Sequence, residues 1–371
     1  MNETIRQQRM AAFADLLHRR GLAHALILNP GLGNLDQWLY AKTGLPLAAP
    51  FNRNPAYLVS DQGEITPLTQ VTTHPTDRDQ FPAIGDTDLS RVFRGDPVGI
   101  VNPQFLKKPV RDHLTTVYPA FEWVDLTTEF AALRAVKSPE EVQALTLAAA
   151  EYDRLFTALP LVLRAERLEK EAVNELRQRI AWQGAAGETP AFHTQVHLTS
   201  APMDGPAAAL PLPWPGRRLQ WGDRVNVTVR GYLPGGFSAA LGRTCVLGPA
   251  SEETKRSFSL ALEAQTLAFS LLRPGQTLGQ VTTAVNAFLQ DHGSLADESA
   301  WISGLGVSAY EWPRNLGAGL EIRVQEGMVL AIGPEVRYPG QDGYRQTDAV
   351  YITQDGAVRL SRTEPALREL F

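Results

Sequence analysis

The start of a long helix divides the sequence into two parts with different patterns. Ser138 supplies an N-cap side chain, Pro139 suits the first helical turn, and Glu140 and Glu141 place negative charge at the positive end of a helix. A chain of 371 residues is also longer than one typical domain. We therefore predict two domains that meet close to this helix start.

The part before this helix alternates helices with short strands. Apolar spacing predicts a helix over residues 4–20, and a buried strand over residues 23–29 follows it directly. Further extended runs lie at residues 56–60, 98–101 and 121–124, with a helix predicted over residues 104–114. This pattern predicts an α/β amino-terminal domain over residues 1–133.

The part from residue 134 to residue 371 has the order helices, hairpin, helices and strands. The helices are predicted over residues 138–159, 167–184, 252–271 and 278–292. Between the second and third helices, apolar residues alternate from Val225 to Val229, as they do in a strand with one buried face. The second domain is therefore predicted to combine helices with a sheet.

Charge and composition exclude several classes of partner. The formal net charge is −5 and no run of lysine and arginine forms a basic stripe, so neither nucleic acid nor an anionic membrane is an expected partner. No window approaches the roughly 20 apolar residues of a membrane-spanning helix, and the start lacks the apolar core of a signal peptide. The only cysteine, Cys245, excludes an internal disulfide. These features predict a cytoplasmic protein.

Six short motifs occur in an order that carries a family resemblance. They are Leu133-Arg134-Ala135-Val136-Lys137-Ser138, Gly222-Asp223-Arg224-Val225, Gly242-Arg243-Thr244, Gly304-Leu305-Gly306, Gly327-Met328-Val329-Leu330 and Arg345-Gln346-Thr347-Asp348. In order and spacing, the chain resembles the creatinase, prolidase and aminopeptidase P family. The resemblance implies an α/β amino-terminal domain, a carboxy-terminal α+β domain of the pita-bread type and a homodimer. In the pita-bread fold, a curved sheet is backed by helices and its concave face holds the site.

The resemblance also implies where metal ligands would lie. Metal-binding members of the family hold two ions with two aspartates, one histidine and two glutamates, because hard divalent ions need several oxygen ligands. In this sequence the five positions are Thr228, Ala240, Ser303, Gly333 and Thr347. None of them carries a carboxylate or an imidazole. The sequence therefore predicts no metal and no other cofactor.

The polar residues left near these positions are the candidates for a site. The candidate catalytic residues are His193, His197 and Tyr310, and the candidate ligand-binding residues are Tyr232, Ser303, Glu311, Arg337, Arg345, Asp348 and, from the amino-terminal domain, Arg53. Arg345 and Tyr310 can together clamp a carboxylate, since a guanidinium offers two parallel hydrogen bonds. The alternatives are that Arg345 and Asp348 form a structural pair, and that His193 and His197 are only a polar lining or a surface pair.

Three functional hypotheses follow. The favoured one is a metal-free homologue that binds, and if active hydrolyses, a small amide, amidine or peptide-like anionic ligand, with His193 or His197 as the base. Such an enzyme would be a metal-independent C–N hydrolase like creatinase. The first alternative is a non-catalytic pseudoenzyme that serves as a dimeric binding or scaffold protein. The second is an Xaa-Pro metallopeptidase with relocated ligands.

Overall fold

A computed structural model describes most of the chain. The described residues are 3–28, 55–70, 83–90, 92, 96–120, 122–183, 194–203, 217–232, 236–296, 301–307, 311–314, 321–339 and 343–371. The chain divides into two compact units, Met1–Arg134 and Ala135–Phe371. Among the helices that the structure describes, none combines the length and the apolar character needed to cross a membrane.

The first unit is a mixed sheet with helices. Its main elements are α1 (Glu3–Arg19), β1 (His24–Leu28), β2 (Pro55–Ser60), β3 (Ile65–Thr69), β4 (Val98–Val101), α2 (Lys108–Val117), β5 (Trp123–Asp125) and α3 (Thr127–Ala135). The strands are ordered β3-β2-β1-β4-β5, with β1, β4 and β5 parallel and β2 and β3 antiparallel to their neighbours. All four residues of β4 are buried, as in a sheet covered on both faces. The predicted α/β character is confirmed.

The second unit begins with helices and a hairpin. Its first elements are α4 (Pro139–Thr157), α5 (Leu159–Val162), α6 (Glu169–Gln183), β6 (Gln195–Pro202), β7 (Asp223–Tyr232), β8 (Ser238–Leu247), α7 (Glu252–Leu271) and α8 (Leu278–Asp291). The helix start at Ser138 is confirmed as a capping box, in which its side chain accepts from the Glu141 backbone and the Glu141 carboxylate accepts from the Ser138 backbone.

Short strands complete the second unit. They are β9 (Ile302–Gly304), β10 (Glu311–Arg314), β11 (Val329–Ile332), β12 (Glu335–Val336), β13 (Tyr344–Arg345), β14 (Thr347–Thr353), β15 (Gly356–Arg359) and β16 (Arg368–Leu370). Within the described residues, the main sheet has the order β10-β9-β11-β14-β8-β7-β6, with β15 on β14 and β16 on β8. Strands β12 and β13 form a separate pair.

Two apolar cores lie on one face of the main sheet. Helices α4 and α6 pack their apolar residues with those of β6, β7 and β8, including Val225, Val227 and Val229. Helices α7 and α8 do the same with β11 and β14, where Leu330 and Val350 are fully buried. Because successive strand residues point to opposite faces, the residues between these apolar positions lie on the other face of the sheet.

Candidate functional site

The face of the main sheet opposite the helices carries the candidate site. On β7 the core positions Val225, Val227 and Val229 leave Asn226 and Thr228 on this second face. We call it the site face, defined as the side of the sheet that carries Thr228 and its cross-strand partners.

Four of the five positions implied as metal ligands meet on the site face. Thr228 lies opposite Gly242, which in turn lies opposite Thr347, and Ala240 is two residues from Gly242 on the same strand. A Cβ placed on Gly242 would lie 2.8 Å from the Thr228 hydroxyl oxygen and 3.0 Å from that of Thr347. A Cβ on Gly333 would lie 2.5 Å from the same Thr347 oxygen. The absence of a side chain at Gly242 and Gly333 therefore leaves the space that the two threonines occupy.

The fifth position, Ser303, lies on the same face, on a strand further along the sheet. Ser303 lies opposite Ala331, which lies opposite Ala349, two residues after Thr347. Cross-strand partners share a face, so Ser303 lies on the side that carries Thr347. The positions assigned from the resemblance are thus brought together by strands that are distant in sequence.

Arg230 lies among these positions. It is two residues from Thr228 on β7 and lies opposite Ala240. Its side chain is buried, and its Nη2 donates a hydrogen bond of 2.6 Å to the Ser303 hydroxyl oxygen. The sequence feature that identifies Arg230 as a neighbour of Thr228 is the strand period of two, because it places residues 228 and 230 on one face. Arg230 was nevertheless not among the predicted site residues.

The residues at the five positions do not fit a dinuclear metal centre. Two threonines, one serine, one alanine and one glycine offer neutral hydroxyls where divalent ions need carboxylates or imidazoles. The nearby Arg230 guanidinium adds a positive charge, which repels a metal cation. In the described ranges, no group of three or more histidine, cysteine, aspartate or glutamate side chains could hold a metal ion. A metal ion in this chain would need ligands from outside the five positions.

His197 is the predicted catalytic residue that the structure places on the site face. It lies opposite Thr228, and its Nε2 is 3.3 Å from the Gln195 side-chain oxygen. Burial is the largest cause of a lowered His197 pKa, and the positive charges of Arg177, Arg345 and Arg230 lower that pKa further. The imidazole is therefore neutral at neutral pH and has a lone pair available as an acceptor.

We expect the His197 ring to titrate below the ordinary histidine pKa of about 6.5. Since the pKa is lowered by folding, the neutral ring favours the native state above that pH, and this contribution is lost as the pH falls through the folded pKa. Ring resonances followed by NMR, assigned with a His197→Asn variant, measure the pKa directly. A His197 pKa at or above 6.5 contradicts the expectation.

Asp348 lies on the helix side of the sheet rather than on the site face. It is fully buried, and it accepts hydrogen bonds from Arg243 at 2.8 Å, Ser361 at 2.8 Å and Gln265 at 3.0 Å, with Arg359 at 3.2 Å. The predicted ligand-binding role of Asp348 is therefore corrected. The physical reason is strand alternation, since its neighbour Thr347 takes the site face.

The suggested pair between Arg345 and Asp348 is also not formed. Arg345 donates a hydrogen bond of 2.8 Å to the Glu335 carboxylate, and the same two residues lie opposite each other on β13 and β12. Asp348 instead pairs with Arg243. Arg345 remains close enough to the site face to lower the His197 pKa.

Glu311 belongs to a buried ion pair. Its carboxylate accepts a hydrogen bond of 2.9 Å from the Lys137 ammonium group, and the two side chains are 4% and 2% exposed. Such a buried pair leaves little access for a ligand, so the predicted ligand-binding role of Glu311 is corrected to a structural one.

The described part of the structure does not place the remaining candidate residues on the site face. Arg337 donates a hydrogen bond of 3.1 Å to the Ala296 carbonyl oxygen, and its backbone N–H donates one to the Ser294 hydroxyl. Tyr232 ends β7, but its side chain lies outside the described part of the structure. His193, Tyr310 and Arg53 also lie outside the described residues.

The comparisons with known proteins establish the family. A model of metallopeptidase family M24 matches residues 143–354, which is more than half of the chain. The chain belongs to this family. The probable dipeptidase PepE of Mycobacterium tuberculosis is 30% identical over 280 residues, which are 72% of this chain and 72% of that protein. The Xaa-Pro dipeptidase of Pyrococcus furiosus is 29% identical over 243 residues, covering 63% of this chain and 65% of that protein.

Solved structures show the same fold. The dipeptidase PepE of Mycobacterium ulcerans has a TM-score of 0.77 and 24% identity, covering 100% of this chain and 99% of that one. The prolidase of Thermococcus sibiricus has a TM-score of 0.79 and 21% identity, covering 100% of both chains. The resemblance to the creatinase, prolidase and aminopeptidase P family and the pita-bread fold are confirmed.

The comparisons overturn the favoured functional hypothesis. A metal-free homologue acting on a small amide or amidine, in the manner of creatinase, was expected from the missing ligands. The relatives described above are instead dipeptidases and Xaa-Pro dipeptidases within a metallopeptidase family. These findings favour the second alternative, the Xaa-Pro metallopeptidase.

Proposed function

We propose that this chain is a dipeptidase that takes short peptides, among them Xaa-Pro dipeptides, on the site face of its pita-bread domain. The observation that carries the proposal is the 30% identity to a probable dipeptidase over 72% of both chains. The solved prolidase and dipeptidase structures support the fold on which the proposal depends.

The chemistry of the site face suits a peptide. A dipeptide carries carbonyl oxygens, an N–H group and a terminal carboxylate, which need donors and acceptors close together. The hydroxyls of Thr228 and Thr347 lie beside Gly242 and can donate to oxygen atoms of the peptide. The neutral imidazole of His197, one strand away, can accept a hydrogen bond from the peptide N–H. In this proposal these residues bind and orient the peptide.

The five positions implied as metal ligands supply no metal site, so the metal chemistry of the family is not assigned to them. Residues 228, 240, 303, 333 and 347 instead provide hydroxyl groups and space. The activity proposed here therefore has to be tested with and without added metal.

A hydrolysis assay tests the proposal. Protein purified without chelator is incubated with Xaa-Pro and other dipeptides, alone and with Mn²⁺, Co²⁺ or Zn²⁺, and released amino acids are measured by mass spectrometry. The metal content of the same sample is measured in parallel. We expect dipeptide hydrolysis that is reduced at least tenfold by His197→Asn and unchanged by Arg111→Gln, on the surface of the first unit. Hydrolysis of none of the dipeptides under any of these conditions contradicts the proposal.

Two properties expected from the sequence are kept as proposals. The resemblance implies a homodimer, and the single cysteine favours the cytoplasm. Light scattering coupled to size-exclusion chromatography tests the first, with twice the mass of one chain as the expected result.

A further inference from the structure

Arg230 is held in a fixed position at the centre of the site face. Its strand places it opposite Ala240 and two residues from Thr228, and its guanidinium is joined to the Ser303 hydroxyl at 2.6 Å. Only 8% of the residue is exposed, so the guanidinium has a limited choice of orientations. A guanidinium held in one orientation can recognise a ligand by directed hydrogen bonds as well as by its charge.

Arginine side chains contribute positive charge to this part of the site face. Burial is the largest cause of the lowered His197 pKa. That pKa is lowered further by the positive charges of Arg177, Arg345 and Arg230. Thr228 on β7 lies opposite His197, and the Gln195 side chain lies 3.3 Å from its ring, while the charge of Arg345 is balanced by the Glu335 carboxylate at 2.8 Å. An anion bound beside Arg230 would be stabilised by the positive charge of Arg230, because the interaction between charges strengthens as water is excluded.

The chemistry of the neighbouring groups also suits a carboxylate. A guanidinium presents its N–H groups in a planar fork that matches the two oxygens of a carboxylate. The hydroxyls of Thr228 and Thr347 beside Gly242 can donate further hydrogen bonds to the same group. A dipeptide has one such group at its carboxyl terminus.

We propose that Arg230, oriented by its hydrogen bond to Ser303, recognises the free terminal carboxylate of the peptide substrate. The inference rests on the proposed function, and it adds the residue that selects peptides with a free carboxyl end. This role explains why the positively charged Arg230 lies among the positions that the resemblance implies as metal ligands.

Calorimetric titration of a dipeptide and of its carboxy-terminal amide tests the inference. The two ligands differ in the charge of one group, so the ratio of their dissociation constants measures recognition of the carboxylate. For the unmodified protein we expect the acid to bind at least tenfold more tightly than the amide. In Arg230→Gln the ratio is expected to fall close to one, and in Arg230→Lys to fall only in part, since lysine keeps the charge but loses the fork.

Two further variants serve as controls. Arg177→Gln removes a charge that also acts on His197 but lies on the exposed side of helix α6, and it is expected to keep the preference for the acid. Ser303→Ala removes only the hydroxyl that orients Arg230, and it is expected to lower the preference even if Arg230→Gln does not fold. Thermal unfolding of each variant establishes that it is folded.

The outcomes separate the inference from the proposed function. If the unmodified protein binds acid and amide equally, Arg230 does not recognise the carboxylate, while the dipeptidase proposal stands. If Arg230→Gln keeps the full preference, the inference is also overturned. If neither ligand binds to the unmodified protein, the proposed function itself fails, and the inference fails with it.

Discussion

Replacing Arg243 with methionine is expected to lower the free energy of unfolding by about 3–5 kcal/mol. Arg243 and Asp348 form an ion pair at 2.8 Å in which neither side chain is exposed to solvent. Removing the guanidinium leaves the Asp348 carboxylate buried with less charge compensation, and it also removes hydrogen bonds to the carbonyl oxygens of Thr347 and Glu364. Urea denaturation measures the change as a lower midpoint at an unchanged slope.

Arg359→Met is the matched control for this prediction. Arg359 also donates to Asp348, at 3.2 Å, but its side chain is 32% exposed. Water can replace part of what an exposed arginine provides, so the expected loss is about 1 kcal/mol. Equal losses in the two variants would show that burial of the Arg243 pair is not what makes it important.

Replacing Lys137 with methionine is expected to cost about 3–5 kcal/mol of unfolding free energy. The Lys137 ammonium group lies 2.9 Å from the Glu311 carboxylate, and both side chains are almost fully buried. The single substitution leaves the Glu311 charge in a poorly solvated place. Thermal or chemical unfolding of the variant measures the effect.

The double variant Lys137→Met, Glu311→Gln is the test of the physical reason. With both charges removed, no unpaired charge is buried, so the double variant is expected to be more stable than Lys137→Met alone. A double variant that loses the sum of two large single effects contradicts this explanation. It would point instead to other contacts of the two side chains.

Local sequence signals were sufficient to predict most of the helices. The N-cap of α4 depends only on residues 138–141, and the structure has the same capping box. The helices predicted over residues 252–271 and 278–292 correspond to α7 and α8 within one residue. The helix predicted over residues 104–114 instead begins at Lys108, because Pro103–Phe105 forms a short 3-10 turn before it. Boundaries of this kind depend on local hydrogen bonds that propensity alone does not determine.

The site could be predicted only in part, because its residues meet across strands that are far apart in sequence. Arg230 and Ser303 are 73 residues apart and become neighbours only when the sheet forms. Asp348 was predicted to bind ligand, and the pairing of β14 with β8 places it beside Arg243 on the other side of the sheet. The five positions implied by the resemblance lie on one face of the sheet, whereas the direction of each side chain required the strand register.

The favoured functional hypothesis is wrong for a different reason. It depends on the substitutions at positions 228, 240, 303, 333 and 347, whereas the similarity of the whole chain to its relatives indicates the metallopeptidase family. Thirty per cent identity over 280 residues favours a dipeptidase, while the residues at those positions do not fit the metals of the family.

A crystal structure of the protein with a bound Xaa-Pro dipeptide would show where the peptide lies. We expect a peptide on the site face, beside Thr228 and Thr347, with its terminal carboxylate within hydrogen-bonding distance of Arg230. A peptide bound elsewhere in the chain contradicts the account, and so does a site face that stays empty at peptide concentrations well above the measured dissociation constant.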